Sequence, residues 1–304
     1  MNAEATEVEI ERGARLPTWF GIGGGADLLA RPSNAAELVR CLHIDPGLRV
    51  LGDGANLLVD DAGVGGLVVS LQTDGFQEID WDRGAGRVYA GAGVSLPRLI
   101  GQSVQRGLGG IAGLAGIPAT LGGAVVMNAG GTFGEIGDVV AVVHAVDRAG
   151  REHAIERARI DFGYRRSGLG HLLITGVQLA LTAGDAEDLR GERQRAMDYK
   201  KGTQPLADKS AGCCFKNPTL TGDVDGLGDA GQRVSAGLVL DRAGCKGLCV
   251  GGATVSEAHA NFIVTSRDAR ARDVIELMDV CTARVLDTFG VALEREVVVW
   301  GRDS

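Results

Sequence analysis

Residues 116–131 constrain the fold of this chain more than any other segment. They read GIPATLGGAVVMNAGG, with five glycines among small and apolar residues and no charged side chain. A solvated loop would be more polar, and a core helix would contain fewer glycines. Glycine lets the backbone approach another group closely and presents amide donors at unusual backbone angles. The segment therefore favours either a surface for a phosphate and a flat aromatic ring system or a tight crossing between domains.

The chain has 304 residues, enough for two domains, and its 48 glycines are its one compositional outlier. Its formal net charge is −8 and no basic run is longer than a pair, which argues against nucleic acid as a partner. No stretch is apolar enough for a membrane helix, and residues 1–15 lack the apolar segment of a signal peptide. We therefore expect a cytoplasmic protein without a membrane partner.

The six cysteines include no CxxC pair, and the adjacent pair Cys213-Cys214 suits neither a metal site nor an ordinary disulfide. Reduced thiols of this kind are usually buried as small hydrophobic side chains. The sequence therefore predicts free cysteines and no bound metal.

Hydrophobic periodicity predicts short strands in the first half of the chain, separated by turn residues. Helical spacing of apolar residues predicts four helices, over residues 35–42, 96–105, 236–243 and 271–289.

Alternation predicts a strand over 291–300, in which Glu294 and Glu296 would face the same side. Residues 184–201 are charged and helical with little apolar face, so we expect a connector or a lid there. We place a domain boundary near residue 184.

Two glycine clusters, 52–56 and 116–131, match neither the dinucleotide-binding GxGxxG pattern nor the P-loop. Together they resemble the flavin-binding domain of the UDP-N-acetylenolpyruvoylglucosamine reductases. The resemblance covers residues 18–301. It rests on seven segments in the order of that family, namely 18–24, 51–59, 116–131, 162–167, 210–218, 251–264 and 293–297.

The resemblance implies an α+β fold of the vanillyl-alcohol-oxidase type. A two-lobed FAD-binding domain of the PCMH type would span 16–183, with its lobes split near residue 72, and a smaller α/β substrate-binding domain would span 184–304. Enzymes of this family use NADPH and FAD to reduce UDP-N-acetylglucosamine enolpyruvate to UDP-N-acetylmuramate, in peptidoglycan precursor synthesis. No flavin-attachment motif is present, so we expect non-covalent FAD.

The reaction puts negative charge on the carbon beside a carboxylate. It needs a group that binds the carboxylate, a group that stabilises the enolate, and a proton donor. The resemblance implies Arg165 for the first role, Glu296 as a neutral acid for the second, and Cys213 for the third. A guanidinium grips a carboxylate with two hydrogen bonds. The family commonly has serine at the position of Cys213, and a thiol is the better acid.

The chemistry alone leaves a neighbour open for each of these three roles. Arg166 is as suitable as the arginine before it, and Glu294 shares the predicted strand face. In an extended loop adjacent side chains point opposite ways. Only one of Cys213 and Cys214 would therefore face the flavin.

The resemblance also implies the residues that contact FAD. They are Gly52, Asp53, Gly54, Ala55, Asn56, Leu57, Gly116, Ile117, Pro118, Ala119, Thr120, Gly122, Gly123, Ala124 and Asn128. Backbone amides at 52–56 and 116–124 would hold the pyrophosphate. Asp53 stands where the family usually has glycine, and Ala55 where it usually has serine. We expect both departures to weaken FAD binding.

For the sugar nucleotide the candidates are Tyr164, Lys201, Asn217, Glu257 and Asn261. Lys200 is an equal alternative to Lys201 as a point charge near the diphosphate.

Two other functions stay open on the sequence. One is another FAD-dependent oxidoreductase of the same fold, acting on an alcohol or hydroxy acid, and the loop 215–218 argues against it. The other is a catalytically degenerate homologue that binds a nucleotide or a protein partner. The departures at Asp53, Ala55 and Cys213 keep this second possibility open.

Overall fold

The computed structural model describes residues 8–81 and 86–302. Residues 1–7, on which part of the signal-peptide expectation depends, lie outside the described residues. In the described ranges no helix combines the length and apolar character needed to cross a bilayer. The six α-helices in these ranges are α1 (Ala35–Ile44), α2 (Leu96–Gln105), α3 (Leu121–Val126), α4 (Ala186–Thr203), α5 (Ala236–Arg242) and α6 (Ala271–Phe289).

The strands are short and numerous, as predicted. In chain order they are β1 (Ile10–Ala14), β2 (Ala26–Ala30), β3 (Arg49–Leu51), β4 (Leu57–Val59), β5 (Val64–Ser70), β6 (Ile79–Asp80), β7 (Arg87–Gly91), β8 (Leu108–Gly109), β9 (Gly130–Gly131), β10 (Gly134–Glu135), β11 (Val140–Val146), β12 (Glu152–Glu156), β13 (Leu173–Ala180), β14 (Thr182–Ala183), β15 (Cys249–Val250), β16 (Ala253–Val255), β17 (Ile263–Thr265) and β18 (Val298–Trp300).

Local signals at the ends of the helices account for the predictions that the structure confirms. The side chain of Asn34 accepts a hydrogen bond from the Glu37 amide at 2.9 Å and caps α1. Helices α2 and α6 have the predicted bounds, and Gly290 ends α6 in the left-handed conformation at φ 66°. These signals act within one helical turn, so the sequence alone reveals them.

The chain forms two compact units that interleave along the sequence. Unit 1 comprises the described parts of 1–14, 26–53 and 65–199, and unit 2 those of 15–25, 54–64 and 200–304. The domain boundary at residue 184 stays a prediction. Units 1 and 2 divide inside α4. The change to charged composition near 184 marks the start of this helix. The helix carries only two buried residues, Leu189 and Ala196.

Unit 1 contains two larger sheets and two two-stranded sheets, β9-β10 and β8-β14. One of the larger sheets has the strand order β1-β2-β5-β3 and consists of residues before residue 72. The other has the order β12-β11-β13-β7-β6 and consists of residues after residue 72. The second sheet is antiparallel throughout. The predicted apolar face of α2 is buried in the unit 1 core, as Leu96, Leu99, Ile100 and Val104.

Unit 2 contains the antiparallel sheet β15-β16-β17, against which α6 packs, and the parallel pair β4-β18. Val274, Met278, Cys281, Val285 and Phe289 recur at helical spacing on α6, and all of them are buried except Phe289, which is partly buried. The predicted strand over 291–300 is wrong for 291–297, because only Val298–Trp300 is a strand. Residues 294–297 instead bond to the backbone of 214–216. A pattern within one segment cannot reveal that pairing.

Two glycine-to-alanine substitutions should change stability in opposite directions. Gly290→Ala should lower the free energy of unfolding by about 1 kcal/mol, because alanine is strained at positive φ. Gly101→Ala should raise it by up to about 1 kcal/mol, because Gly101 lies inside α2 and an added Cβ meets nothing within 4 Å. Urea unfolding measures both changes. Equal signs for the two variants would contradict this account of the helix end.

Candidate active site

The predicted arginine lies at the tip of a tight turn in unit 1. Gly163 and Arg166 exchange two backbone hydrogen bonds of 3.0 and 3.1 Å, which leaves Tyr164 and Arg165 as the two central residues. Arg165 has φ 55°, in the left-handed region where glycine is favoured. Its guanidinium carbon lies 5.3 Å from the centre of the Tyr164 ring. A strained arginine at a turn tip is an arrangement that functional sites often contain.

The structure separates the two neighbouring arginines that chemistry alone left equal. Arg165 is half-buried, and its Nη1 donates to the carbonyl oxygen of Gly130 at 2.8 Å. Arg166 is exposed and forms an ion pair with Asp161 at 3.0 Å. Arg166 therefore has the usual surface environment of an arginine, whereas Arg165 has an ordered one.

The two predicted flavin segments meet within unit 1. A Cβ added to Gly52 would lie 2.9 Å from the hydroxyl oxygen of Thr120. Thr120 is buried and caps α3, its side chain accepting from the Gly123 amide at 3.3 Å. Residues 116–119 before it are half-buried, and Gly116 has φ 76°. Glycine at 52 thus leaves room for the Thr120 side chain, which caps α3.

The amides at the start of α3 are already bonded within the protein. Gly122 donates to the carbonyl of Ala92 at 2.8 Å, and the amides of Gly123 and Ala124 bond to the side chain and carbonyl of Thr120. An amide hydrogen used in this way is not available to a phosphate. These bonds therefore do not support the prediction that the three amides hold the pyrophosphate, which stays a prediction. An added Cβ at Gly122 would lie 3.0 Å from the Cβ of Ala92, so this glycine serves close packing.

The loop after the first glycine cluster is anchored in unit 2. Gly54 has φ 66°, and an added Cβ would lie 2.1 Å from the carbonyl oxygen of Pro17. Leu57 is buried and pairs with Val298. The hydroxyl oxygen of Thr18 is buried, and the described residues offer it no hydrogen-bond partner. Such an atom in a native protein calls for a ligand or water.

Cys213 and Cys214 differ sharply in environment. Cys214 is completely buried in the core of unit 2, and desolvation raises the pKa of its thiol to about 12. Cys213 is half-buried and pairs through its backbone with Phe262. The inert thiol is therefore Cys214, and Cys213 is the one that remains accessible.

Glu296 lies beside the cysteine pair, and Glu294 does not. The backbone amide of Glu296 donates to the carbonyl of Cys214 at 2.8 Å. Glu296 is half-buried. Glu294 is largely exposed and forms an ion pair with Lys216.

Two predicted ligand contacts hold this loop by their side chains instead. Asn261 is buried; its side chain accepts from the Phe215 amide at 2.9 Å and donates to the Phe215 carbonyl at 2.8 Å. Asn56 donates to the carbonyl of Glu296 at 2.9 Å. The side-chain oxygen and nitrogen of Asn261 are thus bonded to backbone, and the prediction that Asn261 binds substrate stays a prediction.

Two further predicted residues also bond to backbone. Asn128, predicted to contact FAD, is buried with its side chain bonded to Gly137 and Gly163. The side-chain oxygen of Asn217 accepts from the Ala236 amide at the start of α5, at 2.9 Å. The apolar neighbours of Asn128, Met127 and Ala129, are a sequence signal for burial, and a buried amide must find hydrogen-bond partners.

The remaining predicted residues lie at the surface or near it. Lys201 is exposed in the last turn of α4, and Lys200 is half-buried. Glu257 is exposed, and its carboxylate lies against the turn at Gly247. Of the three catalytic candidates, Cys213 and Glu296 are brought together in unit 2, and Arg165 belongs to unit 1.

The two halves of the chain match two domain families. Residues 26–156 match an FAD-binding domain, and residues 204–300 match the C-terminal domain of UDP-N-acetylenolpyruvoylglucosamine reductase. The chain therefore belongs to the class of FAD-binding oxidoreductases. Its predicted α+β fold, with an FAD-binding domain and a second domain, is confirmed.

Whole-chain similarity identifies the family. A protein of Desulfosudis oleivorans named UDP-N-acetylenolpyruvoylglucosamine reductase is 41% identical over 300 residues, covering 94% of this chain and 92% of that protein. A protein of the same name from Moorella thermoacetica is 40% identical, covering 95% and 91%. The crystal structure of the Thermus caldophilus reductase matches with a TM-score of 0.79 at 38% identity, covering 96% and 98%. The chain belongs to the UDP-N-acetylenolpyruvoylglucosamine reductase family.

The stability of the loop that carries Asn261 should depend on pH, because His259 accepts a hydrogen bond from it. The Nδ1 of His259 accepts the Asn261 amide at 3.2 Å, so the hydrogen bond requires this nitrogen to be unprotonated. Burial, with Lys246 nearby, lowers the pKa of His259 below its ordinary value of 6.5. A histidine with a lowered folded-state pKa contributes stability above the ordinary pKa, which is lost as the pH falls through the folded value.

We therefore expect the stability advantage of the wild type over a His259→Gln variant to shrink as the pH falls from about 7.5 to about 5.5. Urea unfolding of both proteins at the two pH values measures the difference, and other titrating groups cancel in the comparison. A difference that is constant, or that grows at low pH, would contradict the assignment.

Proposed function

We propose that this chain catalyses the NADPH-dependent, FAD-mediated reduction of UDP-N-acetylglucosamine enolpyruvate to UDP-N-acetylmuramate. The main support is the near-full-length similarity to reductases named for this substrate. Cys213 and Glu296, the proposed proton donor and enolate-stabilising acid, also share one hydrogen-bonded frame in unit 2. FAD, when bound, supplies a carrier of hydride from NADPH to the double bond of the substrate.

The residues of the proposed FAD site suit a dinucleotide. Thr18 offers a buried hydroxyl that no described residue uses, close to the glycine turn at Gly54. Residues 116–119 form an uncharged, half-buried surface. We propose that Thr18, the loop 52–55 and residues 116–120 hold FAD, with backbone amides on its phosphates. The carboxylate of Asp53 lies 3.5 Å from the Gln72 side-chain nitrogen, and its negative charge would disfavour a dianion nearby.

Arg165 would bind the carboxylate of the enolpyruvyl group. A guanidinium is a cation with five N–H donors in a planar fork, so Arg165 can bind a carboxylate while it is held by Gly130. Reduction places charge on the carbon next to this carboxylate. An arginine that neutralises both the carboxylate and the enolate stabilises the transition state more than the ground state.

Glu296 and Cys213 would complete the reaction from unit 2. Glu296, as a neutral acid, donates a hydrogen bond to the developing enolate oxygen. Cys213 gives the proton that the carbon beside the carboxylate needs, after hydride has gone to the terminal carbon. The sum is one hydride and one proton added across the double bond. Fixed loops matter here, because a general acid must lie within hydrogen-bond reach of the atom it protonates.

For the nucleotide part of the substrate, we propose Tyr164, Lys201 and Glu257 as contacts. Lys201 would act as a point charge near the diphosphate. We also propose a cytoplasmic location, which suits the six free cysteines, because disulfides are rare in reducing compartments.

Gly52→Ala should weaken FAD binding. The added methyl lies 2.9 Å from the Thr120 hydroxyl, so the Thr120 side chain must shift and its bond to the Gly123 amide is strained. Gly170→Ala is the matched control, because its Cβ meets nothing within 4 Å. If the displacement costs over about 1 kcal/mol, the affinity for FAD should fall about tenfold in Gly52→Ala and stay unchanged in the control. Flavin titration of the apoprotein measures both affinities. Equal affinities in the two variants would show that this approach does not shape the site.

Cys213→Ala should keep flavin reduction by NADPH and lose reduction of the enolpyruvyl sugar, by about 100-fold or more. Cys213→Ser should retain part of the activity, and Cys249→Ala, which removes an exposed thiol of the same unit, should retain all of it. Rapid-mixing absorbance measures the two half-reactions separately.

Survival of both half-reactions in Cys213→Ala would overturn the proton-donor assignment. A wild-type protein that binds FAD yet never reduces the enolpyruvyl sugar nucleotide would overturn the proposed function itself.

A further inference from the structure

We propose that Asn128 is a positioning residue that fixes the turn presenting Arg165 to the substrate carboxylate. The inference deepens the proposed function and rests on it. Asn128 is completely buried, so its side chain cannot itself contact FAD or substrate from solvent. Its effect on the reaction would pass through the turn Gly163–Arg166.

Arg165 needs outside support to keep its conformation. Its φ of 55° is unfavourable for a residue with a Cβ, and a free chain would leave this region. Strained backbone persists only when its surroundings over-determine it. The question is therefore which contacts hold the turn.

Asn128 holds the turn at its base. Its side-chain nitrogen donates to the carbonyl of Gly163 at 3.0 Å, the same carbonyl that accepts the Arg166 amide at 3.1 Å. Its side-chain oxygen accepts the Gly137 amide at 3.0 Å, which fixes the orientation of the side chain. Asn128 itself has φ 46°, so two left-handed residues are joined through one hydrogen-bonded frame.

Neighbours of Asn128 along the chain make two parallel contacts to the same loop. The carbonyl of Val126 accepts from the hydroxyl of Ser167 at 2.8 Å. The carbonyl of Gly130 accepts from the Arg165 guanidinium at 2.8 Å. Alternate residues 126, 128 and 130 thus bind the loop at three points, and the contact of Asn128 lies at the base of the strained turn.

Loss of the bond from Asn128 to Gly163 should let the turn change its conformation without unfolding unit 1. The backbone at Arg165 could then leave the left-handed region, and its guanidinium would shift away from the carboxylate. A misplacement of about 1 Å costs on the order of 100-fold in rate. Flavin reduction by NADPH does not use the enolpyruvyl carboxylate, so it should be unaffected.

The experiment compares Asn128→Gly and Asn128→Asp with the wild-type holoenzyme. Glycine accepts the φ of 46° and removes both side-chain bonds, so this variant should fold. Aspartate keeps the acceptor for Gly137 and replaces the donor to Gly163 by a second acceptor. Both should lower kcat for enolpyruvyl sugar reduction by roughly 10- to 100-fold, with flavin reduction by NADPH unchanged.

A double-mutant cycle separates positioning from general stability. In an Arg165→Ala background, Asn128→Gly should cause no further loss of kcat, because the group through which it acts is gone. Ser103→Ala is the matched control, a fully buried polar side chain of unit 1 with one bond to Ile100 in α2. It should leave both half-reactions unchanged.

An equal loss from Asn128→Gly in both backgrounds would overturn the inference, and so would an unchanged kcat in the wild-type background. If both Asn128 variants failed to fold, the role of Asn128 would be the stability of unit 1, and the inference would be overturned too. Sugar reduction absent from the wild type itself would overturn the proposed function, and this inference with it.

Discussion

Backbone polar groups buried in irregular loops must find hydrogen-bond partners, and the candidate site depends on this requirement. Its reactive side chains lie on loops, where no ladder of neighbouring strands or helical turns satisfies the backbone. Asn128, Asn261 and Asn56 supply those partners through their side-chain amides. Each bonds to backbone next to a candidate reactive residue. A side-chain amide carries a donor and an acceptor at fixed separation, so it can hold a loop in one conformation.

The glycine-rich segments pack closely against their neighbours. Close approach of Gly52 to Thr120, and of Gly122 to Ala92, disfavours a Cβ at both glycines. These contacts lie within unit 1, and the ligand surface at residues 116–119 stays a prediction. Residues 116–119 stay half-buried beside a tightly packed helix start. Dense packing below a surface keeps its backbone donors in place for a ligand.

Sequence reasoning succeeded where the determining interactions are local. Capping by Asn34, the left-handed Gly290 and the apolar stripes of α2 and α6 all act within a few residues. It failed over 291–297, where alternation resembled a strand and the backbone instead bonds to residues 214–216. It also did not reveal that the side chain of Asn261 bonds to the backbone of Phe215. The residue type indicates that a buried side-chain amide needs hydrogen-bond partners, but it does not indicate which groups those partners are.

Motif order along the chain was enough to indicate the family, the fold class and the segments that form the site. Tertiary structure decided between adjacent residues of like chemistry. It buried Cys214 and left Cys213 accessible, exposed Glu294 and placed Glu296 beside the cysteines, and paired Arg166 with a surface acid. The physical reason is that neighbours in sequence share composition and spacing. Their reactivity depends on burial and hydrogen bonding, which arise only when distant segments pack together.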